Sequence, residues 1–263
     1  MGSRAWRASI ADWFRDLLAI SPQKRLPLPE VPPKEARAVI VSFYMHNIPD
    51  SVVMAQRRLL KRFAPANVAI KQIRTRKSHA DALTHFVEKT PYRTLVILDI
   101  DCVPTTAAAL GGLISKAESG ALVGSAQRSN HIQNNNHIYV APSCMAFSAA
   151  TYGALQPVSF KTTPRADVGE ELSYAAEEKG LPIELSWPIS SEDYIWDLVD
   201  SKKYGHGTAY DNGFWHAFQI RSKQHHVYFI RRCEEFERLD GAHPEIGSAA
   251  LLRRDNPPLR EAL

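Results

Sequence analysis

The chain has 263 residues and a formal net charge of +4 at pH 7. Its 44% hydrophobic and 23% charged residues are typical of a soluble globular protein and exclude an intrinsically disordered chain. The weak positive charge fits an anionic small molecule or an acidic membrane surface, but it is too small to argue for nucleic acid. Cys102, Cys144 and Cys233 form no CxxC pair, so we expect a reducing, cytoplasmic setting.

The first 35 residues are expected to lie outside the main domain. Residues 4–20 carry tryptophans and aliphatic residues at helical spacing, with arginines mostly on the opposite face. Residues 21–34 hold five prolines, which predict an extended linker. An amphipathic helix on such an arm would lie peripherally in a membrane interface, or would dock on the protein's own surface or on a second subunit. Both interpretations stay open, and no run of 18 apolar residues predicts a membrane span.

Strands and helices alternate regularly from residue 36 to residue 118. The sequence predicts strands at 38–44, 68–73 and 95–98, and helices at 49–63, 78–89 and 106–118. Such alternation predicts right-handed crossovers and a mostly parallel sheet. In sheets of this kind, ligands bind at the carboxyl ends of the strands.

Two aspartates one residue apart end the third of these strands. Asp99 and Asp101 point the same way if extended geometry continues through Ile100. Two carboxylates a few ångström apart repel each other unless a cation or a proton lies between them. A hard divalent cation that also carries phosphate oxygens is the usual solution. A pair of solvated turn aspartates beside Pro104 is the alternative interpretation.

Beyond residue 120 the pattern is less regular. The sequence predicts a short strand at 121–124, a polar loop at 128–137, a strand at 137–147 interrupted at Pro142, a helix from Asp167 to Gly180, and a strand at 181–187. His225 and His226 are expected to precede a further strand at 227–230. These two histidines are interpreted as structural.

A parallel half that ends in Asp99-Ile100-Asp101, followed by a mixed half, resembles the glycosyltransferases of the GT-A fold. The resemblance covers residues 36–236 and implies a single α/β domain with a mostly parallel, Rossmann-like sheet. The implied organisation is a nucleotide-sugar half at 36–120, a mixed acceptor-binding half at 121–240, and a C-terminal tail at 241–263. In that family the Asp-x-Asp motif holds Mn²⁺ or Mg²⁺ against the diphosphate of a nucleotide-sugar. The resemblance therefore implies Asp99 and Asp101 as metal ligands.

The same resemblance implies the other ligand-binding residues. Metal-dependent members often bring a C-terminal histidine back to the ion, and His216 lies where that residue is expected, with His206 as a competing candidate. The nucleotide would lie across the ends of the first three strands. The residues expected to bind the donor there are Ser42, Tyr44, Arg74, His79 and Asp99.

An acidic motif opens the helix predicted after residue 166. Many inverting members carry acidic residues at such a place, with a leucine followed eight residues later by a glycine, and Leu172 and Gly180 keep that spacing. The usual acidic pair does not fall in register here. Asp167, Glu170 or Glu171 would then supply the catalytic base. Capping of the helix N-terminus explains the same residues without catalysis.

The implied function is transfer of a sugar from a UDP- or GDP-type donor to a hydroxyl of a saccharide or lipid-linked saccharide, as in polysaccharide biosynthesis. Inversion is expected if one of the three carboxylates acts as base, and retention otherwise. Two alternatives stay open. The stretch Asp99-Ile-Asp-Cys-Val103 also fits the motif of haloacid-dehalogenase-like phosphatases, in which Asp99 would be the nucleophile. The other alternative is a non-catalytic scaffold that binds nucleotide-sugars.

Overall fold

The computed structural model describes residues 35–129 and 136–239. Every element described below belongs to the unit Val31–Leu263. The predicted helix at 4–20, the proline-rich linker at 21–34 and the tail at 241–263 lie outside the described residues. Among the described helices, none combines the length and the apolar character needed to cross a bilayer.

The described residues form twelve strands and six helices. In chain order they are β1 (Ala38–Tyr44), α1 (Asp50–Phe63), β2 (Val68–Arg74), α2 (His79–Lys89), β3 (Thr94–Leu98), β4 (Cys102–Pro104), α3 (Ala107–Glu118), β5 (Leu122–Arg128), β6 (Ile138–Ser148), α4 (Ala149–Leu155), α5 (Glu170–Glu178), β7 (Ile183–Ser186), β8 (Pro188–Ser190), β9 (Asp193–Asp197), β10 (Lys203–His206), β11 (Thr208–Tyr210), β12 (Phe214–His216) and α6 (Lys223–Arg238). All six elements predicted between residues 36 and 118 are present.

The centre of the fold is a six-stranded sheet with the order β2-β1-β3-β6-β5-β7. Strand β1 pairs in parallel with both β2 and β3, and β5 pairs in parallel with β7. Strand β6 lies antiparallel between β3 and β5, so it alone opposes the direction of the other five strands. The predicted fold class, an α/β domain with a mostly parallel central sheet and a mixed second half, is confirmed.

Both faces of this sheet are covered, which explains the uninterrupted apolar runs of its central strands. Ile40 and Leu98 pack on one side with the buried residues of α1, α3 and α6. Val39, Val41 and Ile97 pack on the other side with those of α2, α4 and α5. Because successive strand residues point to opposite faces, alternate apolar residues of these strands lie in the two cores.

Side-chain caps begin two of the helices where the sequence predicts. The Ser78 hydroxyl accepts a hydrogen bond from the amide of Asp81 at 3.1 Å, and the Thr106 hydroxyl accepts one from the amide of Ala109 at 3.3 Å. Each cap satisfies one of the amide donors that the first helical turn leaves free.

A second, antiparallel sheet has the order β4-β12-β11-β8. Its edge strand β4 begins directly after the Asp-x-Asp motif. Helix α6 packs behind it, where the rings of Trp215 and Phe229 stack at 6.1 Å. This small sheet brings the chain near residue 216 back to the end of β3.

The prediction of a break at Pro142 is wrong, because β6 runs through it as one strand of 11 residues. Proline lacks an amide donor and is tolerated in a strand where no ladder bond needs one. Strand β6 pairs with β3 only from Cys144 onward, and Pro142 is not among the β6 residues that pair with β5. The loop predicted before this strand lies partly outside the described residues.

The strand predicted after His225 and His226 is also wrong, since both residues lie in the first turns of α6. The run at 227–230 is too short for its periodicity to separate strand from helix. Phe229 and Cys233, one helical turn apart, are both fully buried, and the Ser222 hydroxyl caps the helix. Packing against the small sheet therefore overrides the β preference of the short run.

The helix predicted from Asp167 begins three residues later. Its N-cap is Gly169, in the left-handed conformation with φ +78°, and its first residue is Glu170. The Asp167 carbonyl accepts the Glu170 amide at 3.1 Å, so Asp167 lies in a turn before the helix rather than at its cap. Capping therefore does not account for the Asp167 side chain.

Candidate active site

A tight turn carries the two aspartates at the carboxyl end of β3. The Cys102 amide donates to the Asp99 carbonyl at 2.9 Å, and the Asp99 amide donates to the Ser143 carbonyl of β6 at 3.0 Å. The expected extended geometry through Ile100 is therefore wrong. The chain turns instead, and both carboxylates still reach a common point.

That common point lies beside His216. Strand β12 pairs antiparallel with β4 so that His216 lies opposite Cys102, the residue after Asp101. The His216 Nε2 atom is 3.2 Å from Asp101 Oδ1 and 3.8 Å from Asp99 Oδ2. Asp99, Asp101 and His216 each offer a ligand atom, and these atoms lie within 4.8 Å of one another.

The two carboxylates differ in their electrostatic surroundings. Burial raises the pKa of Asp99, an effect that His79 and His216 oppose and the charge of Asp101 reinforces. Burial acts in the same direction on Asp101, but the proximity and hydrogen bond of His216 and the amide of Ile220 outweigh it and lower the pKa of Asp101. Asp101 therefore favours its charged form, whereas Asp99 favours its protonated form more than a free aspartate does.

The donor set of these residues fits a divalent cation. A cation between the two carboxylates would remove their repulsion, and oxygen ligands suit both Mg²⁺ and Mn²⁺. The imidazole nitrogen of His216 is a softer ligand, which Mn²⁺ accepts more readily than Mg²⁺. The three residues can therefore hold such an ion, with water or phosphate oxygens completing its shell.

A cleft of about 230 Å³ opens above this group. Besides the three candidate ligands, its lining consists of His79, Gln127, Tyr139, Pro142, Ser143, Asp167, Val168, Phe218, Gln219 and Arg221. Sequence reasoning missed Gln127, Tyr139 and Ser143, since they come from β5 and β6 and belong to no motif. The Ser143 hydroxyl is buried and has no hydrogen-bond partner among the described residues.

The three carboxylates considered for the catalytic base differ in their position relative to the cleft. Only Asp167 lines the cleft, where its Oδ1 atom accepts a hydrogen bond from the Val168 amide at 2.7 Å. Glu170 is 1% exposed and accepts the Asp167 amide at 2.7 Å. Glu171 accepts from the Arg165 guanidinium at 2.7 Å, and that contact lowers the pKa of Glu171.

Of the residues expected to bind the donor, only some line the cleft. His79 lines the cleft, with Nε2 3.6 Å from Asp99 Oδ1. Ser42 is fully buried within β1, and Tyr44 is 7% exposed beneath the Arg74 guanidinium. Arg74 itself pairs with Asp50 at 2.7 Å. Ser42, Tyr44 and Arg74 are therefore not part of the cleft lining.

The competing histidine, His206, supports the backbone that follows His216. Its Nδ1 atom lies 3.3 Å and 3.2 Å from the carbonyl oxygens of Ala217 and Phe218. It is absent from the Asp-Asp-His group found among the described residues. His225 acts similarly, with Nδ1 3.0 Å from the Gln219 carbonyl.

His137 joins two glutamates beside the cleft. Its ring nitrogens lie 2.7 Å from Glu170 Oε1 and 3.2 Å from Glu177 Oε1, and its ring stacks on Tyr174 at 3.9 Å. Burial alone would lower its affinity for a proton, but the hydrogen bonds to both glutamates raise the pKa of His137 above 6.5. Protonated His137 therefore stabilises the folded state.

This contribution is expected to be complete below about pH 6.5 and lost as the pH rises through the raised pKa. The free energy of unfolding should therefore fall over that range more steeply in the wild type than in His137→Gln. Urea unfolding of both proteins at a series of pH values measures the difference. Parallel pH profiles would contradict the prediction.

Comparison with known proteins gives matches at the level of structure. No family model matches the chain, and no curated protein matches it in sequence. A mannosyltransferase from Pyrobaculum calidifontis, solved with GDP-mannose and Mn²⁺, aligns at 14% identity over 86% of this chain and 71% of its own, with a TM-score of 0.42. A putative nucleotide-diphospho-sugar transferase from Desulfovibrio desulfuricans aligns at 9% identity over 57% of this chain and 80% of its own, with a TM-score of 0.34.

A 4-diphosphocytidyl-2C-methyl-D-erythritol synthase from Anaerococcus prevotii aligns at 8% identity over 76% of this chain and 99% of its own, with a TM-score of 0.43. Because all three alignments have TM-scores below 0.5, none of them assigns a reaction to this chain.

Proposed function

We propose that this protein is a metal-dependent glycosyltransferase that moves a sugar from a UDP- or GDP-type nucleotide-sugar to a hydroxyl of a saccharide or lipid-linked saccharide. The observation that carries the proposal is the arrangement of one cleft. The Asp99–Asp101–His216 group lies on its floor, and the carboxylate of Asp167 lies in the same lining. An ion site and a separate carboxylate are what diphosphate departure and hydroxyl activation respectively require.

The proposed roles follow from position. Asp99, Asp101 and His216 would hold Mn²⁺ or Mg²⁺, and the ion would supply positive charge to neutralise the departing diphosphate. Asp167 would take the proton of the acceptor hydroxyl as that oxygen attacks the sugar carbon, which implies inversion.

Two further residues of the lining can donate hydrogen bonds to an anion. His79 and Arg221 both line the cleft, where they would meet the anionic donor.

The membrane contact proposed for residues 4–20 would bring the enzyme to a lipid-linked acceptor on the cytoplasmic face, but those residues lie outside the described part of the chain.

The lining argues against the phosphatase alternative. Phosphoaspartate chemistry of the haloacid-dehalogenase type needs a lysine near the nucleophilic aspartate, and no lysine is among the described residues that line the cleft. The close approach of His216 to both aspartates also fits ligands of a shared ion better than a free nucleophile.

The direct test is a hydrolysis screen of UDP-, GDP-, CMP- and TDP-sugars with Mn²⁺, with release of the nucleotide as readout. We expect one donor class to be turned over, and EDTA to abolish the reaction. Metal-dependent release of phosphate from phosphomonoesters, with every nucleotide-sugar left intact, would favour the phosphatase. Binding of a nucleotide-sugar without turnover, with and without saccharide acceptors, would favour a scaffold.

A further inference from the structure

One buried polar side chain of α1 lies directly beneath the Asp-x-Asp turn. The inner face of this helix has seven buried residues, and Gln56 is the polar one among six apolar ones. Gln56 is fully buried. An amide in such surroundings is costly unless its hydrogen-bonding groups are satisfied, so its contacts explain its presence.

All the polar groups of Gln56 have partners. Its Nε2 atom donates to the carbonyl of Asp99 at 2.7 Å and to the carbonyl of Cys102 at 3.0 Å. Its Oε1 atom accepts from Nε2 of Gln72 at 2.8 Å, and Gln72 Nε2 also donates to the Val53 carbonyl at 3.0 Å. The two glutamines therefore connect β2, α1 and the turn in one buried network.

The two carbonyls that Gln56 binds are the first and the last of the four-residue turn. The turn's own hydrogen bond runs from the Cys102 amide to the Asp99 carbonyl. Asp99 and Asp101 both lie within this turn, so its geometry sets the distance between their carboxylates. Their mutual repulsion favours opening of the turn when no cation is present, and Gln56, which is not part of the cleft lining, bonds both ends of the turn.

We propose that Gln56 is a positioning residue that preorganises the Asp99–Asp101 pair for its divalent cation. The inference rests on the metal site of the proposed function and deepens it. It assigns Gln56 no contact with the ion or the substrate. Outer partners of this kind commonly change metal affinity by 10- to 100-fold when they are removed, which is roughly the effect expected here.

The test measures Mn²⁺ binding directly, by the loss of the free-ion signal in electron paramagnetic resonance titrations of the full chain. Gln56→Met keeps the side-chain size and removes both bonds to the turn. We expect it to weaken Mn²⁺ binding by about tenfold. Gln72→Met is the matched control, because it disturbs the same buried network but leaves both bonds from Gln56 to the turn.

Thermal unfolding of the metal-free proteins separates positioning from stability. Gln72→Met should lower the melting temperature yet keep its Mn²⁺ affinity within about twofold of the wild type. The single variant Gln56→Met leaves the buried amide of Gln72 without its partner, which could unfold the protein. The double variant Gln56→Met/Gln72→Met removes both amides and therefore avoids this cost. It should show the same weakened binding as Gln56→Met.

Three outcomes would overturn the inference. Wild-type affinity in Gln56→Met or in the double variant would show that the turn needs no support from Gln56. An equal loss of affinity in Gln72→Met would reduce the effect to general destabilisation. Failure of the wild-type chain to bind Mn²⁺ would remove the metal site and the inference together, whereas Mn²⁺ binding without donor turnover would remove only the glycosyltransferase reaction.

Discussion

Replacing Asp101 with asparagine is expected to lower metal-dependent turnover by about 10²–10³-fold, equivalent to about 3–4 kcal/mol of lost stabilisation in the transition state. Asp101 is 4% exposed, and its carboxylate lies against His216 and the amide of Ile220. Because these neighbours lower its pKa, the side chain carries its charge at neutral pH. Asparagine keeps the size of the residue and removes the charge that a cation needs.

The measurement is donor hydrolysis as a function of Mn²⁺ concentration, with the melting temperature as a check of the fold. Asp197→Asn is a suitable control, because Asp197 is an exposed aspartate of β9 outside the cleft lining. It should behave as the wild type. Full activity with normal metal dependence in Asp101→Asn would end the proposed mechanism.

Replacing Asp167 is expected to lower kcat by about 10²–10⁴-fold, the usual contribution of a general base, with little change in donor affinity. Asp167 is the one carboxylate of its acidic cluster that lines the cleft. Its backbone amide donates to Glu170, and its Oδ1 atom accepts a hydrogen bond from the Val168 amide at 2.7 Å. Asp167→Ala removes the base, and Asp167→Asn tests whether the size of the side chain alone is sufficient.

Of the two neighbouring glutamates, Glu171 provides a matched control for this prediction, and Glu170 tests the positioning of Asp167. Glu171→Ala should keep wild-type kcat, because its carboxylate is engaged by Arg165 and Thr163 outside the cleft lining. Glu170→Ala should give an intermediate loss, because it releases the backbone of Asp167 without removing the base. If alanine at all three positions leaves kcat unchanged, the inverting assignment fails and a retaining course becomes the better interpretation.

Much of the fold between residues 36 and 120 could be predicted from local patterns. The strand 95–98 is uniformly apolar because both of its faces are covered, and the helix after Ser78 begins where its cap predicts. These signals lie within a few residues of each other, so no knowledge of distant contacts is needed to interpret them. The errors came where distant contacts decide: the pairing of β6 tolerates Pro142, and packing on the small sheet makes 227–230 helical.

The candidate site divides in the same way. Asp99 and Asp101 are neighbours in the sequence, so the sequence by itself determined that two carboxylates end a buried strand. His216 joins them from 115 residues away only because β12 pairs with β4 in one register, and strand register depends on non-local packing. The choice of Asp167 for the cleft and the placement of Gln56 beneath the turn were likewise decided by the tertiary structure, because both depend on contacts between elements far apart in the chain.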